Sequence, residues 1–121
     1  LVDRSLGSVL KMEDTLNKQI YHMQAEICKA LANPIRIEIL NLLKSGEKTV
    51  TELANLVGVN QANLSQHLTI LRSKKIVEAK RVGNNVYYSL ANPRIIEACN
   101  LLRQILQEQL EAESKLIPFK Q

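Results

Sequence analysis

Between positions 61 and 69 the run QANLSQHLT brings Gln61, Asn63, Ser65, Gln66, His67 and Thr69 close together. Apart from the His ring, these are short uncharged side chains that both donate and accept hydrogen bonds. Such groups suit the edges of base pairs: Gln and Asn can hold adenine through two bonds, and Ser or Thr adapts to several edges. Lys80, Arg81, Asn84, Asn85 and Tyr87 follow soon after. Cations there can neutralise phosphates or enter a minor groove, contacts that anchor a protein without reading sequence. On an isolated helix a polar run opposite leucines is only a solvated face. The elements on either side make this one a candidate site.

Charge points to the same segment. Residues 58–90 hold Arg72, Lys74, Lys75, Lys80 and Arg81 against Glu78 alone, a net of +4 that equals the formal charge of the whole chain. Residues 1–57 and 91–121 each balance their acids and bases. A total of +4 is modest, but its confinement to one stretch favours a polyanionic partner there.

The elements that must position these residues are legible from periodicity and punctuation. Leu16, Ile20, Met23, Ile27 and Leu31 fall at helical spacing, which predicts a helix over 9–31. Asn33-Pro34 ends it and starts a second helix over 34–44. Thr49-Val50-Thr51-Glu52 fits a capping box for a third helix that ends at Val57. Gly58 supplies a turn and Asn60 a cap, and Leu64, Leu68 and Leu71 form the inner face of a fourth helix. Alternation then predicts strands over 76–82 and 86–90 around Gly83-Asn84-Asn85, with Tyr87 and Tyr88 facing opposite ways. A last helix is expected over 93–113, carrying Ile95, Cys99, Leu102 and Leu106 on an apolar face flanked by Ile96, Ile105 and Leu110.

This order of parts predicts a mainly α protein with a small β-hairpin wing, a winged helix-turn-helix. One domain is expected over 12–113, preceded by a poorly ordered extension at 1–11 and followed by a tail at 114–121. The first and last helices carry broader apolar faces than a chain of 121 residues needs to cover. A two-fold homodimer is the expected use for them, since helix-turn-helix readers pair half-sites about one DNA turn (~34 Å) apart.

Other classes are disfavoured. With 45% hydrophobic and 23% charged residues the composition is that of a folded globular chain. No apolar run reaches the roughly 18–20 residues of a membrane span. No Gly-rich phosphate loop, HExxH or GxSxG motif is present, so neither an enzyme nor a cofactor is expected. Cys28 and Cys99 form no CxxC pair, which suits a reducing compartment and a cytoplasmic protein.

With these residues in place, the chain resembles the ArsR-type repressors, an arsenic- and metal-responsive winged-helix family. The resemblance covers residues 30–106 and rests on ALANPIRIEILNLL, TELANLVGVNQANLSQHLTILRSKKIV and RVGNNVYYSL. It implies a dimer held by the first and last helices, and an operator-binding repressor released by an effector. By position Gln61, Ser65 and Gln66 match the family's base-contacting places, whereas Ala62 stands where Ser is common.

The family's metal ligands are missing. Thr49 and Thr51 occupy the places of a Cys-x-Cys pair, and hydroxyls do not replace soft thiolates. Asn92, Arg94, Ile105 and Glu108 occupy those of a second site, where three of the four ligands are lost and a cation replaces one. No metal site is therefore expected, and His22 and His67 offer none. Cys28 and Cys99 are the remaining sensor candidates. Each is a small apolar residue on a helix stripe, the ordinary use of a free Cys. The implied dimer would let the two thiols approach one another and answer a small effector or oxidant.

Two competing uses of the same fold stay open at this level. One is a chromatin-associated winged helix without sequence preference, and the other is a winged helix that contacts protein.

Overall fold

Asn33, Thr49 and Asn60 each stand directly before a helix, and each side chain accepts a backbone N–H from the first turn. Those caps set the phase of the helices that follow. The computed structural model describes residues 4–115, arranged as α1 (Arg4–Ala30), α2 (Pro34–Leu43), β1 (Lys48–Thr49), α3 (Val50–Val57), α4 (Gln61–Ser73), β2 (Val77–Val82), β3 (Asn85–Leu90) and α5 (Ile95–Lys115).

Asn33 Oδ1 takes the N–H groups of Ile35 (2.9 Å) and Arg36 (3.3 Å), with Pro34 opening α2. Thr49 and Glu52 complete the capping box, Glu52 N to Thr49 Oγ1 at 3.2 Å and Thr49 N to Glu52 Oε1 at 3.1 Å. Gly58 ends α3 at φ 84, a left-handed conformation that glycine adopts without steric cost. Asn60 Oδ1 then accepts Asn63 N at 2.7 Å and starts α4.

The end of α4 uses an unexpected residue. Ile76 N donates to Leu71 O and Lys75 N to Arg72 O, the paired bonds of a Schellman motif. Its left-handed position is filled by Lys75 at φ 59 where glycine is usual. Ile76 and Leu71 are both buried, so apolar contact across the motif holds Lys75 in place.

The sheet has three antiparallel strands in the order β1-β3-β2. Lys48 and Thr49 pair with Tyr88 and Tyr87, a strand too short to leave a periodic signal. The wing hairpin turns through two residues: Val82 pairs with Asn85, leaving Gly83 and Asn84 as the loop. Gly83 sits at φ 62, the positive value such a tight hairpin needs. Asn85 is thus the first strand residue and not part of the tip.

Ile39, Leu40, Leu43, Leu53, Leu64, Leu68, Leu71 and Val77 form the centre of the core, with Ala30 and Ile96 as the buried contributions of α1 and α5. Burial along α5 is uneven. Ile96 is buried, Ile95 and Cys99 pack partly against the core, and Leu102 and Leu106 face solvent. The helix also starts at Ile95, because Ile95, Ile96 and Glu97 donate to the carbonyls three residues back and tighten Asn92-Pro93-Arg94 into turns.

The N-terminal boundary differs as well. The helix begins at Arg4, five residues before the start that its spacing predicts, so residues 4–11 belong to α1. Leu6, Val9 and Leu10 continue its apolar stripe at helical spacing, which is why the helix runs on. Residues 1–3 lie outside the described residues, as do 116–121 of the expected tail, while 114–115 close α5. Leu16, Ile20 and Met23 on α1 and Leu102, Leu106 and Leu110 on α5 keep half or more of their surface in solvent. Among the described residues no helix is long and apolar enough to cross a membrane.

Candidate nucleic-acid interface

Three buried leucines on α4 decide which of its side chains point outward. With Leu64, Leu68 and Leu71 inside, Gln61, Ser65, Gln66 and Thr69 are exposed, while Asn63 and His67 are half-buried on the flank. The turn that presents this helix is closed by Gly58 N and Val59 N, both donating to Ala54 O. Leu53 and Ala54 of α3 bury against the same core.

Several of these groups are already oriented. Gln61 Nε2 donates to Thr51 Oγ1 at 3.0 Å, tying the start of α4 to α3 and leaving the amide oxygen of Gln61 as an acceptor. Thr69 Oγ1 donates to Ser65 O at 2.9 Å, so its hydroxyl proton is committed to its own helix and it can only accept. Ser65 and Gln66 are exposed neighbours of these two.

His67 is placed differently from the other polar residues of α4. Its Nδ1 accepts from Arg36 Nε at 3.1 Å, and Arg36 Nη1 donates to Ala30 O at 3.1 Å. An arginine Nε–H can only donate, so the ring is neutral and Nε2 carries the proton. Burial lowers the pKa of His67 from its ordinary value of 6.5, and the nearby Arg36 charge lowers it further. His67 therefore faces α2 and meets Arg36, a partner that no sequence motif marks. A hydrogen bond between residues so far apart in the chain leaves no local pattern.

On the wing, strand alternation separates the two cations. Lys80 lies opposite Tyr87, which in turn lies opposite Thr49, so these three share one face. Arg81 lies opposite Val86 on the other face, the face on which Tyr88 packs against the core. Lys80, Arg81, Asn84 and Asn85 are all exposed, and Tyr87 is half-buried.

Arg72 and Lys75 are likewise exposed at the end of α4. Lys74 instead pairs with Glu26 of α1 at 3.1 Å, and that bond, with the Lys74 and Lys29 charges, holds the Glu26 carboxyl below its usual value.

Cys28 is an exposed free thiol and Cys99 a half-buried one. Among the described residues no cluster of three or more His, Cys, Asp or Glu side chains could hold a metal ion.

Known proteins share this arrangement. The family model for bacterial regulatory proteins of the arsR family matches residues 33–79, from the cap of α2 into β2. An uncharacterized HTH-type transcriptional regulator of Mycobacterium tuberculosis, Rv0081, is 41% identical over 95 residues, covering 78% of this chain and 83% of that protein. Its crystal structure superposes with a TM-score of 0.71 over 78% of this chain and 95% of that one. The homodimeric winged helix-turn-helix domain of Mb0332 from Mycobacterium bovis, solved in solution, gives 0.72 at 34% identity, covering 79% and 89%. The repressor BigR of Xylella fastidiosa gives 0.66 at 31% identity, covering 77% and 94%. These relatives are described as transcriptional regulators. On sequence and fold together, this chain belongs to the arsR family of bacterial regulatory proteins.

Proposed function

We propose that this protein is a transcriptional repressor that binds a specific double-stranded operator as a homodimer and lets go when an effector acts on its flanking helices. The observation that carries this reading is the outer face of α4. Gln61, Ser65 and Gln66 are exposed and uncharged, and three buried leucines fix their direction. Uncharged donors and acceptors discriminate bases, whereas a surface built only for phosphates would be cationic.

In this reading Gln61, Asn63, Ser65 and Gln66 enter the major groove, with Thr69 as an acceptor and His67 Nε2–H as a donor at the flank. Lys80 and Arg81 anchor the wing, with Asn84, Asn85 and Tyr87 beside them. The homodimer rests on the bare apolar stripes of α1 and α5, which a monomer would leave in water. The Mycobacterium bovis relative is described as homodimeric and the Xylella protein as a repressor, which supports the same assembly and role here. The cytoplasm, where bacterial DNA lies, is the matching compartment.

Selection from a random duplex library, followed by titration of the enriched and scrambled duplexes at two salt concentrations, tests this reading. A repressor should prefer the enriched sequence by on the order of 10³ or more. A ratio near one would point to a chromatin-associated protein. No binding at either salt would point to a winged helix that contacts protein.

A further inference from the structure

His67 Nδ1 accepts from Arg36 Nε at 3.1 Å, and the same guanidinium donates through Nη1 to Ala30 O at 3.1 Å. Held from two sides, Arg36 fixes the rotation of the imidazole ring. With Nδ1 taken as an acceptor, the proton of the neutral ring sits on Nε2. Among the described residues that N–H meets no acceptor, and no unpartnered side-chain nitrogen or oxygen is sealed from solvent. Nε2 of this half-buried ring is therefore open to solvent with its donor unused.

The place of His67 on α4 says what that donor meets. Gln61, Ser65 and Gln66 stand on the outer face, which meets base edges when a helix lies in the major groove. His67 stands on the flank toward α2, and the flanks of such a helix run along groove walls of sugar and phosphate. Arg36 lies behind the ring, and among the described residues no carboxylate pairs with it. A neutral donor backed by an uncompensated cation favours an anionic acceptor. Neither residue belongs to the exposed stripes of α1 and α5 assigned to the dimer.

Building on the repressor reading, we propose that Arg36 is a positioning residue for DNA binding, which aims the Nε2–H of His67 at one operator phosphate in each half-site. The contact adds affinity without reading sequence. The ring that makes it is neutral, so unlike Lys80 and Arg81 it brings no charge of its own to the phosphate.

Duplexes with a single methylphosphonate linkage, moved along the enriched sequence one phosphate at a time, test this. Each linkage removes one negative charge and penalises binding where the protein holds that phosphate. The full-length parent should show a penalty at one linkage per half-site that His67→Asn no longer shows. Asn keeps an acceptor near the Nδ1 place but lacks the Nε2 donor. This variant should bind enriched and scrambled duplexes alike about tenfold more weakly or worse, the loss of a hydrogen bond to a charged group. Its salt dependence should match the parent's. His67→Gln, which returns an N–H near the Nε2 place, should recover the affinity and the penalty. Arg36→Ala should shrink the penalty at that same linkage and at no other. A purely structural role for Arg36 would weaken binding and leave the parent's linkage profile intact.

A His67→Asn variant with the parent's linkage profile would overturn the proposal. So would relaxed preference at a base pair in that variant, which would put the ring on a base edge. A linkage that answers to Arg36→Ala but not to His67→Asn would mean that the guanidinium itself touches DNA, and would overturn it too. One measurement needs no variant: in the parent, the Nε2 proton signal should move downfield when duplex is added. A signal left in place counts against the contact. A parent that binds no duplex removes the repressor reading and this proposal with it. Binding with a flat response at every linkage beside His67 removes the proposal alone.

Discussion

Arg36 of α2 and His67 of α4, 31 positions apart, are joined by a 3.1 Å hydrogen bond from Arg36 Nε to His67 Nδ1. The same guanidinium caps Ala30 O at the end of α1. One side chain thus links the first helix, which carries an apolar stripe, to the helix that carries the polar outer face. The link holds only while His67 is neutral, because a protonated ring has no acceptor to offer.

This gives a pH dependence with a definite sign. His67 has a folded-state pKa below its ordinary 6.5, so between the two values the unfolded chain binds more protons than the folded one. The contribution of the link is therefore complete above 6.5 and disappears as pH falls through the folded-state pKa. Denaturant midpoints in that range should fall with acid, and Arg36→Ala should flatten the slope. Nitrogen NMR of His67 should show the Nε2–H tautomer at neutral pH. An Nδ1–H ring there would contradict the geometry.

Gln66 should control sequence discrimination. Its exposed amide on α4 can bridge two atoms of one adenine, a pairing worth ~1–3 kcal/mol against the wrong base. Gln66→Ala should relax preference at one base pair of each half-site and leave affinity for random DNA unchanged. Titration of single-base operator variants reads this directly.

Arg81 should behave in the opposite way. As a phosphate anchor on the exposed wing, its loss in Arg81→Ala should weaken all duplexes alike and lower the slope of log affinity against log salt by about 1 per protomer. Unchanged salt dependence would place Arg81 away from the DNA backbone.

Ile20, over half exposed in the middle of α1, should report on the dimer. Burying a carboxylate without a partner is costly, so Ile20→Glu should raise the dimer dissociation constant by at least about tenfold. Sedimentation velocity across a concentration series measures this. A variant that still sediments as the parent dimer would move the interface off this stripe.

Lys75 should be a point where stability is easily gained. A left-handed residue with a side chain costs about 1–2 kcal/mol, and glycine returns about 0.5–1 kcal/mol of that in chain entropy. Lys75→Gly should therefore stabilise the fold by on the order of 0.5–1 kcal/mol, seen as a higher midpoint in urea.

Most of the helical plan was legible because its signals are local. Asn33, Thr49 and Asn60 cap the helices they precede in sequence, and Leu64, Leu68 and Leu71 are the buried face their spacing predicts. Elements defined by partners elsewhere in the chain were less visible. Strand β1 exists only because Lys48 and Thr49 lie against Tyr88 and Tyr87. The stop after α4 depends on Ile76 burying against the core, and not on a glycine.

The same division holds for the candidate site. Residue type and helical phase alone determine that Gln61, Ser65 and Gln66 form an outward polar face, and that the surplus charge follows them. Tertiary structure alone decides that His67 turns toward Arg36, that Lys80 and Arg81 lie on opposite faces of the wing, and that Cys28 and Cys99 share a cavity. Periodicity reports which way a side chain points from its own helix or strand. What it meets there depends on how distant elements pack, which a one-dimensional pattern does not carry.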